Sequence, residues 1–258
     1  MQTGAITSHI DVAQLTLYAF WLFFAGLIFY LRREDKREGY PLVSDVLGED
    51  NIVGYPPMPE PKTFVMKHGE QRMAPRAEER ENPAIAPSGA WPGAPFVPTG
   101  NPMIDGVGAA SYAMRSNEPA LAFEDGKPMI VPLRVAHEYS LASEDPELIG
   151  WRVLGADGVV AGTVVDVWID RAEAVVRFLE VALTAPLPTR TVLLPIGFGA
   201  LSRRGREVRV GAILGEQFGD VPALQHADQV SLREEDRISG YFAGGLLYAT
   251  PERAEPLL

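Results

Sequence analysis

VAQLTLYAFWLFFAGLIFYL, residues 12–31, runs for 20 residues without a charged side chain, and only Gln14 and Thr16 in it are clearly polar. At about 1.5 Å per residue such a run makes a helix of roughly 30 Å, the thickness of a bilayer's hydrocarbon core. Tyr18, Phe20 and Trp21 lie towards one end and Phe29 and Tyr30 at the other, in the manner of the aromatic belts at membrane interfaces. A cleaved signal peptide fits less well. It would place basic residues ahead of a shorter apolar stretch, whereas Met1–Ile10 contains no Lys or Arg. A buried helix of a soluble protein fits worse still, because no face of the run is polar enough to meet water. One membrane span is therefore expected, at residues 12–31.

Charge then orients the span. Arg32, Arg33, Lys36 and Arg37 follow it closely, while Asp11 is the only charged residue before it. The positive-inside rule puts residues 1–11 outside the cytoplasm and everything after Arg32 within it. The four basic residues are expected to act as a stop-transfer flank and to attract anionic lipid headgroups.

The 258-residue chain as a whole is acidic, with a net charge of −11. That balance argues against nucleic-acid binding, which needs a basic face to meet phosphates. The absence of cysteine rules out a disulfide framework, a thiolate nucleophile and zinc-finger spacing. His9, His68, His137 and His226 are scattered, and none has a ligand-like neighbour at helical spacing. The glycines of Asp105–Gly108 and Ala243–Gly245 neither follow a strand nor open a helix as a dinucleotide fingerprint must, and no GxSxG occurs. No catalytic residue is assigned.

Residues 41–100 hold 11 of the 22 prolines. Proline removes backbone donors and interrupts helices, so a packed regular core is not expected there. Such composition suits a floppy linker. Tyr40, Tyr55, Phe64, Trp91 and Phe96 favour instead an extended segment lying on a partner, with its aromatics inserted into pockets.

From about Pro128 the pattern becomes short and β-rich. VPLRVA is one candidate strand. WRVLG, Asp157-Gly158 and VVAGTVVDVWID form a predicted hairpin, with Asp-Gly supplying the positive φ of a tight turn. VVRFLEVAL, TVLLPI and REVRVGAI follow. Closely spaced strands with short turns predict a small antiparallel barrel or sandwich. Val230–Leu247 reads as an amphipathic helix, weakened by Gly240, Gly244 and Gly245.

One charged cluster lies in WIDRAEAVVR, residues 168–177. A four-residue turn at Arg171–Ala174 would set Asp170 opposite Val175 and Trp168 opposite Arg177. Asp166, Trp168 and Asp170 would then share a face with Arg177, and Glu173 would project from the turn. These charges form either a solvated hairpin tip or a group of carboxylates able to hold a proton near neutrality.

Five segments in order resemble the H subunit of the photosynthetic reaction centre of purple bacteria. They are FWLFFAGLIFYLRRED with REGYPL, residues 20–35 and 37–42; PKTFV with a following HG, residues 61–69; PTGNPMIDGVGAASYA, residues 98–113; GTVVDVWIDRAEAVVRFLEV, residues 162–181; and REEDRISGYFAGGLLYATPER, residues 233–253. The resemblance implies one transmembrane α-helix and a mainly β cytoplasmic domain, a small antiparallel barrel of the reaction-centre type, with a C-terminal helix. The implied divisions are a periplasmic N-terminus at 1–11, the span at 12–31, a proline-rich segment on partner subunits at 32–110, and the barrel domain with its helix at 111–258. It places the chain in the bacterial inner, intracytoplasmic membrane, capping the L and M subunits.

Those partners would carry bacteriochlorophyll, bacteriopheophytin, quinones and a non-haem iron, this chain none of them; lipids and a light-harvesting ring are further implied neighbours. The chain would be non-catalytic alone and would help conduct protons to the secondary quinone. Asp170, Glu173 and Arg177 match the family's relay segment, and Glu234, Glu235 and Asp125 are candidates for the surface end of the path. Relatives with histidines after the Asp-Gly matching Asp125-Gly126 differ from this chain, which has DGKPMIVP there. The alternative function is a membrane-tethered barrel adaptor for another cytoplasmic partner.

Overall fold

The computed structural model describes residues 4, 6, 11–44, 49–69, 71–75 and 84–254. The chain divides into two units, Met1–Glu79 with Ala90–Ala94, and Arg80–Gly89 with Pro95–Leu258.

The first unit is built on helix α1, Val12–Glu34, whose side chains are nowhere buried within the chain. Asp11 caps it by accepting the Gln14 amide at 2.7 Å. The two polar residues of the apolar run satisfy themselves locally, Gln14 on the Tyr18 hydroxyl at 2.9 Å and Thr16 on the Val12 carbonyl at 2.8 Å. The helical backbone pairs its own polar groups, as a hydrocarbon surrounding requires. The helix outlasts the apolar run by one turn and tightens into a 3₁₀ turn at Asp35–Arg37.

Beyond it, the chain folds back onto this end. Lys36, only 4% exposed, donates to the carbonyls of Val53 at 2.6 Å and Pro56 at 2.5 Å. Arg37 donates to those of Glu60 at 2.7 Å and Ala74 at 2.8 Å. Half of the basic flank expected to face lipid is thus enclosed by the protein. The proline-rich stretch here makes two-stranded ribbons, not a core: β1, Leu42–Ser44, with β2, Glu49–Ile52, and β3, Lys62–Val65, with β4, Gln71–Ala74.

The second unit starts with another ribbon, β5, Ile85–Pro87, with β6, Phe96–Pro98, and a single-turn helix α2, Pro102–Asp105. Its body is a seven-stranded sheet of β7, Ile130–Pro132; β8, Arg152–Leu154; β9, Val160–Asp170; β10, Val175–Leu183; β11, Thr191–Pro195; β12, Gly199–Ser202; and β13, Glu207–Val210. The spatial order is β11-β10-β9-β8-β13-β12, with β7 also on β9. β8 and β9 form the expected hairpin, turning at Gly158 with φ +77°. β9 and β10 are covered on both faces and supply Val167, Trp168, Phe178, Leu179 and Val181 to the core.

The sheet departs from the expected antiparallel barrel in two ways. β8 and β13 pair in parallel, and no ladder joins β11 to β12 at the edges. Three residues, Ile196–Phe198, connect those edges, so the sheet curls back on itself without closing. A pattern of short strands carries the period of each strand but not the direction of a neighbour some 50 residues away.

The C-terminal helix α3, Leu232–Tyr248, opens with a full capping box in which Ser231 and Glu234 bond each other's backbone amides. Its glycines are explained by packing. A Cβ on Gly244 would overlap Ala110, and one on Gly245 would overlap Ile213. The glycines let the helix backbone approach those turns, while Ile238, Tyr241 and Phe242 enter the core.

Candidate proton-relay site

The turn between β9 and β10 brings acidic and basic side chains to one end of the sheet. Asp170 is 4% exposed. Its Oδ1 accepts the amides of Ala172 at 2.9 Å and Glu173 at 3.2 Å. It therefore holds the turn shut as an Asx cap. The turn ends on Ala174, whose φ of +53° is a left-handed conformation that a Cβ disfavours. Glu173 sits exposed at the tip, and its carboxylate has no hydrogen-bond partner among the described residues.

The strand register corrects the sequence-based geometry. Asp170 lies opposite Val175 as expected, but the ladder shifts between Val176 and Phe178, so that Trp168 faces Phe178. Arg177 is the extra residue of a β-bulge. A strict ladder would have set Arg177 against Trp168; the bulge seats Phe178 there, with both rings in the core. Arg177 is turned out to Glu235 at the start of α3, with Nη2 to Oε1 at 2.7 Å. The Glu235 carboxylate raises the Arg177 pKa further, with smaller contributions from the charges of Asp170 and Glu173.

Asp166 does not join this group. It pairs with Arg134, Nη1 to Oδ2 at 2.9 Å, and the same nitrogen meets Glu180 Oε2 at 2.5 Å. Arg134 also reaches Asp228 at 3.1 Å, and Trp168 Nε1 donates to Glu180 at 3.0 Å. This network escaped sequence reasoning, because its members are spread over nearly 100 residues. A buried Trp with a nearby buried Glu was its only local trace.

Asp125 reaches the turn through Arg171, Nη2 to Oδ2 at 2.6 Å. Arg171 also donates to the Pro128 carbonyl at 3.3 Å, and Tyr139 donates to the Arg171 carbonyl at 2.9 Å. The Arg171 guanidinium, followed by the Lys127 amide, holds the Asp125 carboxyl below its usual range. A depressed carboxylate stabilises the fold above its ordinary pKa and loses that contribution as pH falls through the folded value. Arg171→Ala should return Asp125 upward towards the ordinary carboxylate range, a change that carbon-detected NMR titration of the side chain would register. An unmoved Asp125 would show that Arg171 is not the cause.

Glu234 and Glu235 are neighbours with different situations. Glu235 faces Arg177, with a side chain 16% exposed. Glu234 is 5% exposed and accepts the Ser231 amide at 2.8 Å and the Gln225 amide at 2.6 Å. Both of its oxygens are occupied by the helix cap and the preceding loop, beneath the surface. Around the turn that carries Asp170 and Glu173, Arg171 pairs with Asp125 and Arg177 with Glu235, whereas Glu234 is tied into the helix cap. Among the described residues no cluster of His, Asp and Glu could hold a metal ion.

Among the described residues one apolar helix is fit to cross a membrane; joined to a curled sheet with a capping helix, it defines a membrane-anchored β-domain protein, and residues 142–213 match the PRC-barrel domain. Residues 4–135, just over half of the chain, match the photosynthetic reaction centre, H-chain N-terminal region. The chain belongs to the reaction-centre H-chain family. It is a subunit of a photosynthetic complex whose other subunits it joins in a photosynthetic membrane.

Proposed function

We propose that this chain caps the L and M subunits on the cytoplasmic face and conducts protons towards the secondary quinone, which lies among those subunits with the pigments. The observation that carries the relay is the turn at Asp170–Arg177, where a capping carboxylate, an exposed carboxylate and a bulged arginine stand together beside Glu235. Reduction of an enclosed quinone to quinol takes up two protons, and carboxylates at spaced positions can pass them inward. Glu173 is the principal proton carrier. Asp170 holds it in place through the turn, and Arg177 tunes both. Glu235 and Asp125 lie on the outward side. Asp125 is ionised at neutral pH and its pairing with Arg171 lowers its pKa further, so it does not store a proton there.

The cap reading is supported by family membership and by aromatic side chains left exposed in the proline-rich stretch, Trp91 and Phe96 among them. Purification through a tag on this chain should recover near-infrared-absorbing subunits; a colourless, solitary chain would overturn the assignment. The orientation follows from the basic flank of α1. Protease added from the cytoplasmic side of membranes stripped of the other subunits should digest the β-domain. Protection from that side, with cleavage from the periplasmic side, would reverse the topology.

A further inference from the structure

The β3–β4 hairpin is fixed beside the membrane end of α1, and its exposed side chains are of a kind that bilayers accept. Two contacts set its level. The Tyr55 ring lies 5.9 Å from the Phe29 ring, and Lys62 Nζ lies 5.8 Å from the Tyr30 ring while pairing with Glu34 at 2.5 Å. Phe29 and Tyr30 belong to the apolar run, so whatever touches them stands at the boundary between hydrocarbon and headgroups. Tyr55 is itself 83% exposed.

The ladder then decides which face of the hairpin looks towards that boundary. Lys62 pairs with Ala74 and Phe64 with Arg72, and residues directly opposite share a face, as do alternate residues along a strand. Phe64 and Arg72 therefore lie on the face that carries Lys62, which points at Tyr30 and Glu34. Phe64 is one strand repeat away, about 7 Å along β3. Every residue of β3 is exposed, and a two-stranded ribbon without a covered face is marginal in water. A large aromatic between two cationic side chains is the composition of segments that lie in the interfacial plane.

We propose that this face of the hairpin, with Tyr55, docks into the bilayer interface through its exposed aromatics, as a second, peripheral attachment beside α1. The lipid surface is continuous with the one that covers α1, which makes it the occupant. The inference rests on α1 spanning the membrane and not on its orientation or on proton conduction.

The chain has no cysteine, so a single environment-sensitive label can be placed by Phe64→Cys, Val65→Cys, Tyr30→Cys or, as a control in the β-domain, Leu201→Cys. The assembled complex is reconstituted into vesicles of phosphatidylcholine with phosphatidylglycerol, part of the lipid carrying a headgroup nitroxide. The label at 64 should lose fluorescence nearly as fully as that at 30. The label at 65, on the opposite face, should lose less, and that at 201 should be unaffected. A label at 64 that is shielded from the nitroxide in the complex, or quenched only when the chain is reconstituted alone, would show that a protein subunit covers this face and would overturn the proposal.

Discussion

Replacing Glu173 by Gln should slow the proton-coupled second electron transfer to the quinone while leaving pigment absorption and the first charge separation unchanged. Glutamine keeps the size and the hydrogen-bonding capacity of the side chain but has no exchangeable carboxyl proton. The position makes the test a clean one. Glu173 is exposed at the tip of the turn and supports no packing, so the substitution should leave the fold intact. The turn is held by the Asp170 carboxylate on the Glu173 amide, a bond to backbone that the variant retains. The loss should be on the order of tenfold to a thousandfold, the scale on which a general acid–base group that water can partly replace is missed.

Arg177→Ala removes a positive charge close to both carboxylates. The pH profile of quinone reduction should move upward, because a nearby cation favours the ionised form of a carboxyl group. Flash absorption over a pH series would follow both variants. Unchanged second-transfer kinetics in the double variant Asp170→Asn with Glu173→Gln would return the cluster to a solvated hairpin tip.

Arg134→Met should have the largest effect on stability. Asp166 and Glu180 are 6% and 8% exposed, and both depend on one guanidinium nitrogen. Methionine preserves much of the stem that lies over the Trp168 ring, 5.9 Å from the guanidinium carbon, but leaves two nearly buried carboxylates without their cation. Removing one partner of a buried ion pair costs about 3–5 kcal/mol, because the remaining charge is still desolvated. Arg134 itself is partly exposed, so a loss of about 2–3 kcal/mol is expected after screening. In a thermal melt of the full chain that is a fall of roughly 5–10 °C. Adding Asp166→Asn and Glu180→Gln to Arg134→Met should recover most of it. A triple variant as unstable as the single one would show that the two stranded carboxylates are not the cause.

What could be read from the sequence was what is encoded locally. Twenty uncharged residues have to be helical in a bilayer, and Asp157-Gly158 between two β-branched runs has to turn. The C-terminal helix, equally local, begins within two residues of the expected start. The turn at Arg171–Ala174 was legible for the same reason, and with it the adjacency of Asp170 and Glu173. The partner of Arg177 was not. A single bulged residue reverses the facing of a side chain, and the bulge answers to a tertiary requirement, that Trp168 and Phe178 be buried together. The same limit applies to Asp166, whose partner Arg134 comes from a different strand segment, and to the parallel pairing of β8 with β13. The glycines of α3 lowered its helical propensity, yet they are the positions where Ala110 and Ala212 come closest.

The enclosure of Lys36 and Arg37 bears on how the chain is made. Lys36 donates to the carbonyls of Val53 and Pro56, and Arg37, besides its ion pair with Glu34, donates to those of Glu60 and Ala74; all four carbonyls are synthesised later. While α1 is being inserted, those carbonyls are not yet available, and the nascent flank presents four hydrated cations to the insertion machinery. Folding of the following 40 residues then withdraws two of them. The topological signal is at its strongest in the unfinished chain, and the finished chain holds a latch in its place: inverting the helix would require breaking four hydrogen bonds and rehydrating one buried and one half-buried cation.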